Sequence, residues 1–297
     1  MKSLFSYYLP YKEAEELIKN GADVNGQNEN GDTPLHFTEH YDIAKLLIDH
    51  GANVKIVNKF DETPLHFVQD IKIAELLIKH GADVNAKSSS GCSPLHNIYD
   101  MNITRLLIEH GADINIKDNG NRTILFYDKP IQTIRFLIES GIDLTICDID
   151  GNTPLHVIKD FDIVKLFINS GIDVNIKNKS QETALHLCLL YGRSLDIATL
   201  LLEKGSDVNS IDNERHSPFH YIFNEAQAEL LIKHGAAPDT KEIYQKHYAL
   251  FSEDQRKAFD IYQSITNNDH DFFKMCLAYQ NGIKNNVKIE VKDMDIL

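Results

Sequence analysis

The chain has 297 residues, of which 42% are hydrophobic and 25% are charged, a composition typical of a soluble globular protein. Its 30 basic and 44 acidic residues give a net charge of −14, which argues against affinity for the phosphates of nucleic acid or for an anionic membrane surface. No apolar run approaches the roughly 18 residues of a membrane span, and the four widely spaced cysteines predict neither a zinc site nor a disulfide framework. We therefore expect a cytoplasmic protein that binds neither nucleic acid nor membrane.

A structural unit recurs along the chain with a period of 30 residues. Its first marker is a glycine after an apolar helical stretch, where the left-handed conformation just past a helix end favours glycine. The interval is 30 residues except for one of 34, and the glycines are Gly21, Gly51, Gly81, Gly111, Gly141, Gly171, Gly205 and Gly235. Length alone suggests about two domains, but a fixed period predicts a repeat array.

A four-residue motif keeps the same period and predicts the start of a helix. Its Thr or Ser suits the N-cap, its Pro suits the first helical position, and its His can bridge to a neighbouring repeat. The six copies occupy residues 33–36, 63–66, 93–96, 153–156, 183–186 and 217–220.

These tetrapeptides, in register with segments such as Gly81-Ala82-Asp83-Val84-Asn85, resemble the motifs of ankyrin-repeat proteins over roughly residues 3 to 239, or eight units. The resemblance implies an all-α repeat solenoid of stacked helix-turn-helix ankyrin repeats with hairpin loops. It also implies that the concave face and the hairpin tips hold partner proteins.

In chain order, residues 1–32 are predicted to form an N-terminal capping repeat, which lacks the motif at Ser3, and residues 33–239 an array of seven ankyrin repeats. The usual period of the family is about 33 residues. In most repeats about three residues, or roughly 4.5 Å of helix, are therefore missing between the motif and the second helix. The repeat at Thr183 has four more residues than its neighbours, which predicts roughly one extra helical turn.

The repeat at Thr123 departs most from the pattern. It lacks the Pro and the His of the motif, and Asn121 stands where its neighbours often have Gly. Either drift or selection for a partner could produce this departure. Beyond Pro238 the period fails, and residues 240–297 predict a helical C-terminal cap with a degenerate repeat, the alternative being a separate functional module.

Most of the 14 histidines are explained by the period. Six close the motif, and four precede the terminal glycine of a repeat, where a partial positive charge suits a helix C-terminus. The others share no metal-ligand spacing, and no phosphate-binding or catalytic motif occurs, so we expect no metal, no cofactor and no enzymatic activity. The one catalytic alternative is a nucleophile pair of His270 and Cys276. The recurring hairpin Asp residues are interpreted as turn formers through Asx-type hydrogen bonds.

The candidate binding residues are those that stacking of the repeats does not require. Aromatic and Arg side chains are frequent interface anchors, so partner binding is predicted at Phe60, Tyr99, Arg122, Tyr127, Leu190 and Tyr191. The resemblance to ankyrin proteins implies one modification, hydroxylation of the hairpin asparagine by a cytosolic hydroxylase. The matching positions are Asn25, Asn85, Asn115, Asn175 and Asn209.

Together these observations predict a monomeric, non-catalytic interaction scaffold or inhibitor whose partner is a protein with a basic surface. The alternative is a secreted effector of an intracellular bacterium or large virus that acts on host proteins in the host cytoplasm and recruits machinery through its C-terminal segment. A residue bias that fits an AT-rich genome and the aperiodic C-terminal segment motivate this alternative.

Overall fold

A computed structural model describes residues 4–5, 9–266 and 268–284. Ser3 and residues 285–297, which the sequence assigns to the two caps, lie outside the described residues. In chain order the helices are α1 (Tyr11–Lys19), α2 (Pro34–Phe37), α3 (Tyr41–Asp49), α4 (Ile71–Lys79), α5 (Pro94–Asn97), α6 (Met101–Glu109), α7 (Ile131–Glu139), α8 (Pro154–Val157), α9 (Phe161–Asn169), α10 (Ala184–Leu190), α11 (Leu195–Glu203), α12 (Glu225–Lys233), α13 (Lys241–Lys246), α14 (Glu253–Ile265) and α15 (Asp269–Lys284). Four 3-10 turns lie between them, at Pro64–His66, Ile124–Phe126, Pro218–Tyr221 and Tyr248–Leu250.

The first helix of most repeats is shortened, as the 30-residue period predicts. Helices α2, α5 and α8 have four residues each, and two repeats of the first half have only a three-residue 3-10 turn at this place. Helix α10 has seven residues, which confirms the longer first helix predicted for the repeat at Thr183. The second helix of every repeat has nine residues and is amphipathic.

Each nine-residue helix ends at a left-handed glycine, as predicted. In the helix that ends at Lys79, Gly81 has φ +85° and donates its N–H to the carbonyl of Ile78, while Ala82 donates to Leu77. These two bonds are those of a Schellman motif. The glycine therefore lets the chain turn back into the next hairpin.

The core lies between successive helices. In α4, for example, Ile73, Ala74, Leu76 and Leu77 are buried at i, i+1, i+3 and i+4 spacing, which places them on one helical face. The chain divides into two compact units, Met1–Ile149 and Asp150–Leu297. In the first unit α3 packs on α1 and α4, and α6 packs on α4 and α7; in the second unit α9 packs on α11, and α8 on α10. The fold is an all-α repeat solenoid.

The described part of the C-terminal segment has an aromatic core of its own. The buried rings of Tyr244, Phe251 and Phe259 lie 5.4–5.6 Å apart between centroids, and Phe272 lies 5.7 Å from Tyr244. This cluster contacts the last repeat, since the Phe219 and Phe251 rings lie 6.2 Å apart.

Candidate partner-binding surface

The loop tips of successive repeats are joined by backbone hydrogen bonds. The bonds run from an amide N–H to a carbonyl 29 residues earlier, or 33 residues earlier for Asn213 and Ser180, with N···O distances of 2.8–2.9 Å. Those of the first unit join Lys59 to Asn30, Ser89 to Phe60, Asn119 to Ser90 and Ile149 to Gly120. In the second unit Lys179 donates in the same way to Asp150. The tips therefore present their side chains in a fixed order within each unit.

The hairpin Asp residues form the predicted Asx turns. Asp83 Oδ1, for example, accepts from the N–H of Asn85 at 2.9 Å. The same bond occurs at Asp23, Asp113, Asp143, Asp173 and Asp207. These carboxylates are turn elements of the fold.

The hairpin asparagines connect neighbouring repeats. Asn85 Nδ2 donates to the carbonyl of Gly111 at 2.9 Å, and its Oδ1 accepts from the N–H of Asp113 at 2.8 Å. Asn25, Asn175 and Asn209 make the same pair of bonds, and Asn115 Oδ1 accepts from Asp143 N. Hydroxylation at these five positions stays a prediction.

Replacing Asn85 by Ala is expected to lower the free energy of unfolding by about 1–3 kcal/mol, because two hydrogen bonds between repeats are lost. The exposed Asn102 on α6 offers the control, and Asn102→Ala is expected to change stability by no more than about 0.5 kcal/mol. Urea denaturation followed by circular dichroism measures both values. Equal effects would contradict the bridging role of Asn85.

In five of the six motif copies the histidine bridges two repeats, as the sequence predicts. The exception is His220, because the N–H of Ser217 donates to Asp239 Oδ2 instead. In the repeat at Ser93, the N–H of Ser93 donates to His96 Nδ1 at 3.0 Å, and His96 Nε2 lies 3.2 Å from the carbonyl oxygen of Arg122. Because Nδ1 accepts, the proton is on Nε2, which donates to that carbonyl. The imidazole thus takes the role of the Glu in a capping box and also reaches the next repeat. His36, His66, His156 and His186 do the same.

Burial has an electrostatic consequence for these histidines. It lowers the pKa of His36, His66, His96 and His186, because an imidazolium in this position would lose its hydration. Hydrogen bonds to the backbone act in the opposite direction but do not restore the ordinary pKa. These side chains are structural.

Three of the six predicted binding residues are largely exposed. The exposed fraction is 56% for Phe60 at a loop tip, 59% for Tyr99 and 65% for Tyr191 after the first helices of their repeats. Leu190 is half-buried at the end of α10.

The other two predicted residues belong to a hydrogen-bonded network. Tyr127 Oη donates to Asp118 Oδ2 at 2.7 Å, Arg122 Nε donates to the same oxygen at 2.9 Å, and the Cys92 Sγ lies 3.3 Å from Tyr127 Oη. Burial alone would raise the pKa of Asp118, but these hydrogen bonds hold it below its ordinary value. The network occupies the repeat that lacks the motif histidine, and Tyr127 packs edge to face on His96 of the preceding repeat at 5.3 Å. Arg122 and Tyr127 therefore stabilise the repeat, whatever else they contact.

A groove lies beside Tyr99 in the first unit. It has a volume of about 610 Å³ and is lined by His66, Phe67, Val68, Gln69, Asn97, Ile98, Tyr99 and Asp100. Its wall includes the 41% exposed ring of Phe67, which the sequence analysis did not select. In the second unit Phe223, 66% exposed, lines a groove of about 430 Å³. Phe67 is the first residue after the motif histidine of its repeat, and Phe223 is the third. An alignment of the repeats could therefore have identified both as candidate binding residues.

Two basic side chains bind the carbonyl groups at the ends of short first helices. Lys129 Nζ donates to the carbonyl oxygens of His96 at 2.6 Å and Ile98 at 2.8 Å. In the second unit Arg193 donates to those of His156 at 2.5 Å and Ile158 at 3.1 Å. Lys129 is 3% exposed, and burial lowers its pKa to about 8. Sequence analysis missed both contacts.

The catalytic alternative has little support. Cys276 is fully buried, and burial raises the pKa of its thiol well above the ordinary value, which opposes formation of a nucleophilic thiolate. Within residues 4–5, 9–266 and 268–284, no group of three or more His, Cys, Asp or Glu side chains could hold a metal ion. Over the same residues, no helix is long and apolar enough to cross a membrane.

Helix pairs with a left-handed glycine, an Asx hairpin and a bridging histidine define a helical repeat protein. The family model for ankyrin repeats in three copies matches residues 10–88, 127–212 and 158–242, and the single ankyrin-repeat model matches residues 90–119. The chain belongs to the ankyrin-repeat family. No curated protein matches it significantly. Ankyrin repeats generally mediate protein–protein interaction.

Proposed function

We propose that this protein is a non-catalytic scaffold or inhibitor that binds a partner protein through its hairpin tips and the concave face formed by the short first helices. The observation that carries the proposal is the exposure of aromatic side chains on this part of the first unit. Phe60, Phe67 and Tyr99 expose 56%, 41% and 59% of their surface, and two of them line the groove of about 610 Å³. Exposed aromatic rings next to a groove are typical of binding surfaces.

The charge of the chain favours a partner with a basic surface. The net charge is −14, and most of it lies on the repeats. A negative surface attracts a positive one over distances comparable to the Debye length, which increases the association rate and makes it sensitive to salt. We place such an encounter in the cytoplasm, with the protein acting as a monomer.

The C-terminal segment fits the role of a cap. Its large aromatic side chains pack against one another, and Gln280 Nε2 donates to the carbonyl of Ala236 in the last repeat at 3.1 Å. A solenoid needs such a cover over its terminal repeat. These contacts favour a cap over the recruiting segment of a secreted effector.

The test uses a partner captured from the native cell extract by chemical crosslinking and identified by mass spectrometry. With that purified partner, Phe60→Ala combined with Tyr99→Ala is expected to weaken binding at least tenfold, measured by isothermal titration calorimetry. Arg122 and Tyr127 are left in place because their contacts with Asp118 stabilise the repeat.

The matched control is Tyr11→Ala, which removes an exposed aromatic ring from the long helix α1. The control is expected to bind like the unmodified protein, and all variants are expected to keep the same helical circular dichroism. Undiminished binding by the double variant would remove the site from the proposal.

A further inference from the structure

The end of a shortened first helix leaves carbonyl groups that need hydrogen-bond donors. Twice the chain supplies a cation for them, Lys129 at the carbonyls of His96 and Ile98, and Arg193 at those of His156 and Ile158. In both cases the carbonyls belong to the motif histidine and to the second residue after it, and the cation comes from the next repeat. A Lys or Arg side chain is therefore the group that this fold uses to bind the carbonyls at the end of a short first helix.

The same two carbonyls in the repeat at Thr63 have no such donor. They belong to His66 and Val68, and among the described residues no side chain or backbone N–H donates to them. Lys129 and Arg193 each lie two residues before the first residue of the second helix of their repeat, and Tyr99 occupies this position here. Tyr99 is 59% exposed, and the carbonyl-bearing residues border the open groove of about 610 Å³.

We propose that this groove binds a Lys or Arg side chain from a basic segment of the partner, whose charged group donates to the carbonyls of His66 and Val68 as Lys129 and Arg193 do in their repeats. This inference rests on the proposed partner-binding function and names the chemistry of its contact. A guanidinium or ammonium group supplies the donors that these oxygens lack.

The other walls of the groove suit a cation. The Tyr99 ring already binds one, since Lys129 Nζ lies 4.0 Å from its centroid, and an aromatic face of this kind attracts positive charge. Asp100 adds a carboxylate that is held in place, because its Oδ1 accepts from the N–H groups of Asn102 and Ile103 at 2.8 and 3.0 Å. The positive charge of Lys129 repels a second cation in the groove, and the negative charge of the Asp100 carboxylate offsets this repulsion.

Titration of the isotope-labelled protein with an arginine peptide, acetyl-Gly-Gly-Arg-Gly-Gly-amide, tests the inference by nuclear magnetic resonance at 150 mM salt. The peptide is expected to shift the amide signals of residues 66–69 and 97–100 in a saturable way. The citrulline analogue has the same shape but no charge, and it is expected to bind at least tenfold more weakly.

Three variants test where the peptide binds. Tyr99→Arg places a guanidinium where Lys129 and Arg193 stand in their repeats and is expected to abolish the response by filling the groove. Tyr11→Arg makes the same change at an exposed tyrosine of α1, outside the groove, and is expected to leave the response unchanged. Asp100→Asn keeps a residue suited to the N-cap but removes the charge, and it is expected to weaken binding at least threefold.

Equal binding of the arginine and citrulline peptides would overturn the inference, and so would a full response in Tyr99→Arg. The titration contains no partner protein. A negative result therefore removes the cation site alone and leaves the partner-binding function to the calorimetric experiment.

Discussion

Acidification from pH 6.5 to pH 5.5 is expected to lower the free energy of unfolding by as much as about 4 kcal/mol. Four motif histidines, His36, His66, His96 and His186, have pKa values lowered by burial in the folded protein. Their Nδ1 atoms accept hydrogen bonds, so protonation would also remove the acceptor. The fold therefore resists protonation of these imidazoles.

The sign follows from proton binding. Below the ordinary histidine pKa of about 6.5 the unfolded chain takes up more protons on these imidazoles than the folded chain does, so stability is complete above this pH and falls as the pH falls. Each such histidine contributes up to about 1 kcal/mol over this interval. Most carboxylates have ordinary pKa values near 4 and contribute little to the change above pH 5.5. Burial raises the pKa of Asp239, which acts in the opposite direction to the histidines.

Urea denaturation at a series of pH values measures this loss. Imidazole nitrogen shifts in nuclear magnetic resonance provide the independent check, since the four side chains are expected to titrate below the ordinary histidine pKa and to carry the proton of the neutral form on Nε2. Stability that does not change between pH 6.5 and 5.5 would contradict the prediction, as would titration of these side chains at their ordinary pKa.

Replacing His96 by Phe is expected to cost about 2–4 kcal/mol. Phenylalanine fills the space of the imidazole, so the loss comes from the N–H of Ser93 and the carbonyl of Arg122, which lose their partner next to a buried side chain. The chain has a natural phenylalanine at this register, Phe126, and there the hydroxyl of Thr123 is buried without a hydrogen bond. That repeat is stabilised instead by the contacts around Asp118.

The control for His96→Phe is the exposed His110, which caps its helix through Nδ1 and the carbonyl of Leu106. His110→Phe is expected to cost no more than about 1 kcal/mol. His96→Phe is also expected to reduce the acid-induced loss of stability, by up to about 1 kcal/mol, since one of the four titrating side chains is absent. A cost equal to that of His110→Phe in urea denaturation would rule out the bridging role.

Local features of this fold were predictable from the residues. The left-handed glycine at the end of each long helix, the Asx turn of the hairpin and the shortened first helix all depend on interactions within a few residues, so the 30-residue pattern reports them directly. The longer helix at Thr183 was predictable for the same reason, because inserted residues extend a local element.

The exposure and the contacts of individual side chains on the candidate surface were not predictable in this way. Tyr99 and Tyr127 both follow a first helix and were selected by the same rule, yet Tyr99 is exposed whereas Tyr127 donates to Asp118 and contacts Cys92, 35 residues earlier. The two differ because of neighbours brought close by folding. An aromatic residue at a given position in the repeat does not by itself indicate a free binding residue.

The sequence alone determined the ankyrin-repeat fold, the register of its repeats and the residues that start and end each helix, because these follow from a pattern repeated with the same local chemistry. Only the tertiary structure decided which helix-end carbonyls have a donor. Lys129 reaches carbonyls 31 and 33 residues earlier, whereas His66 and Val68, whose carbonyls have no donor among the described residues, line an open groove beside Tyr99. The physical reason is that hydrogen bonding at a helix end is completed by the next repeat, whose side chains approach only when the repeats stack.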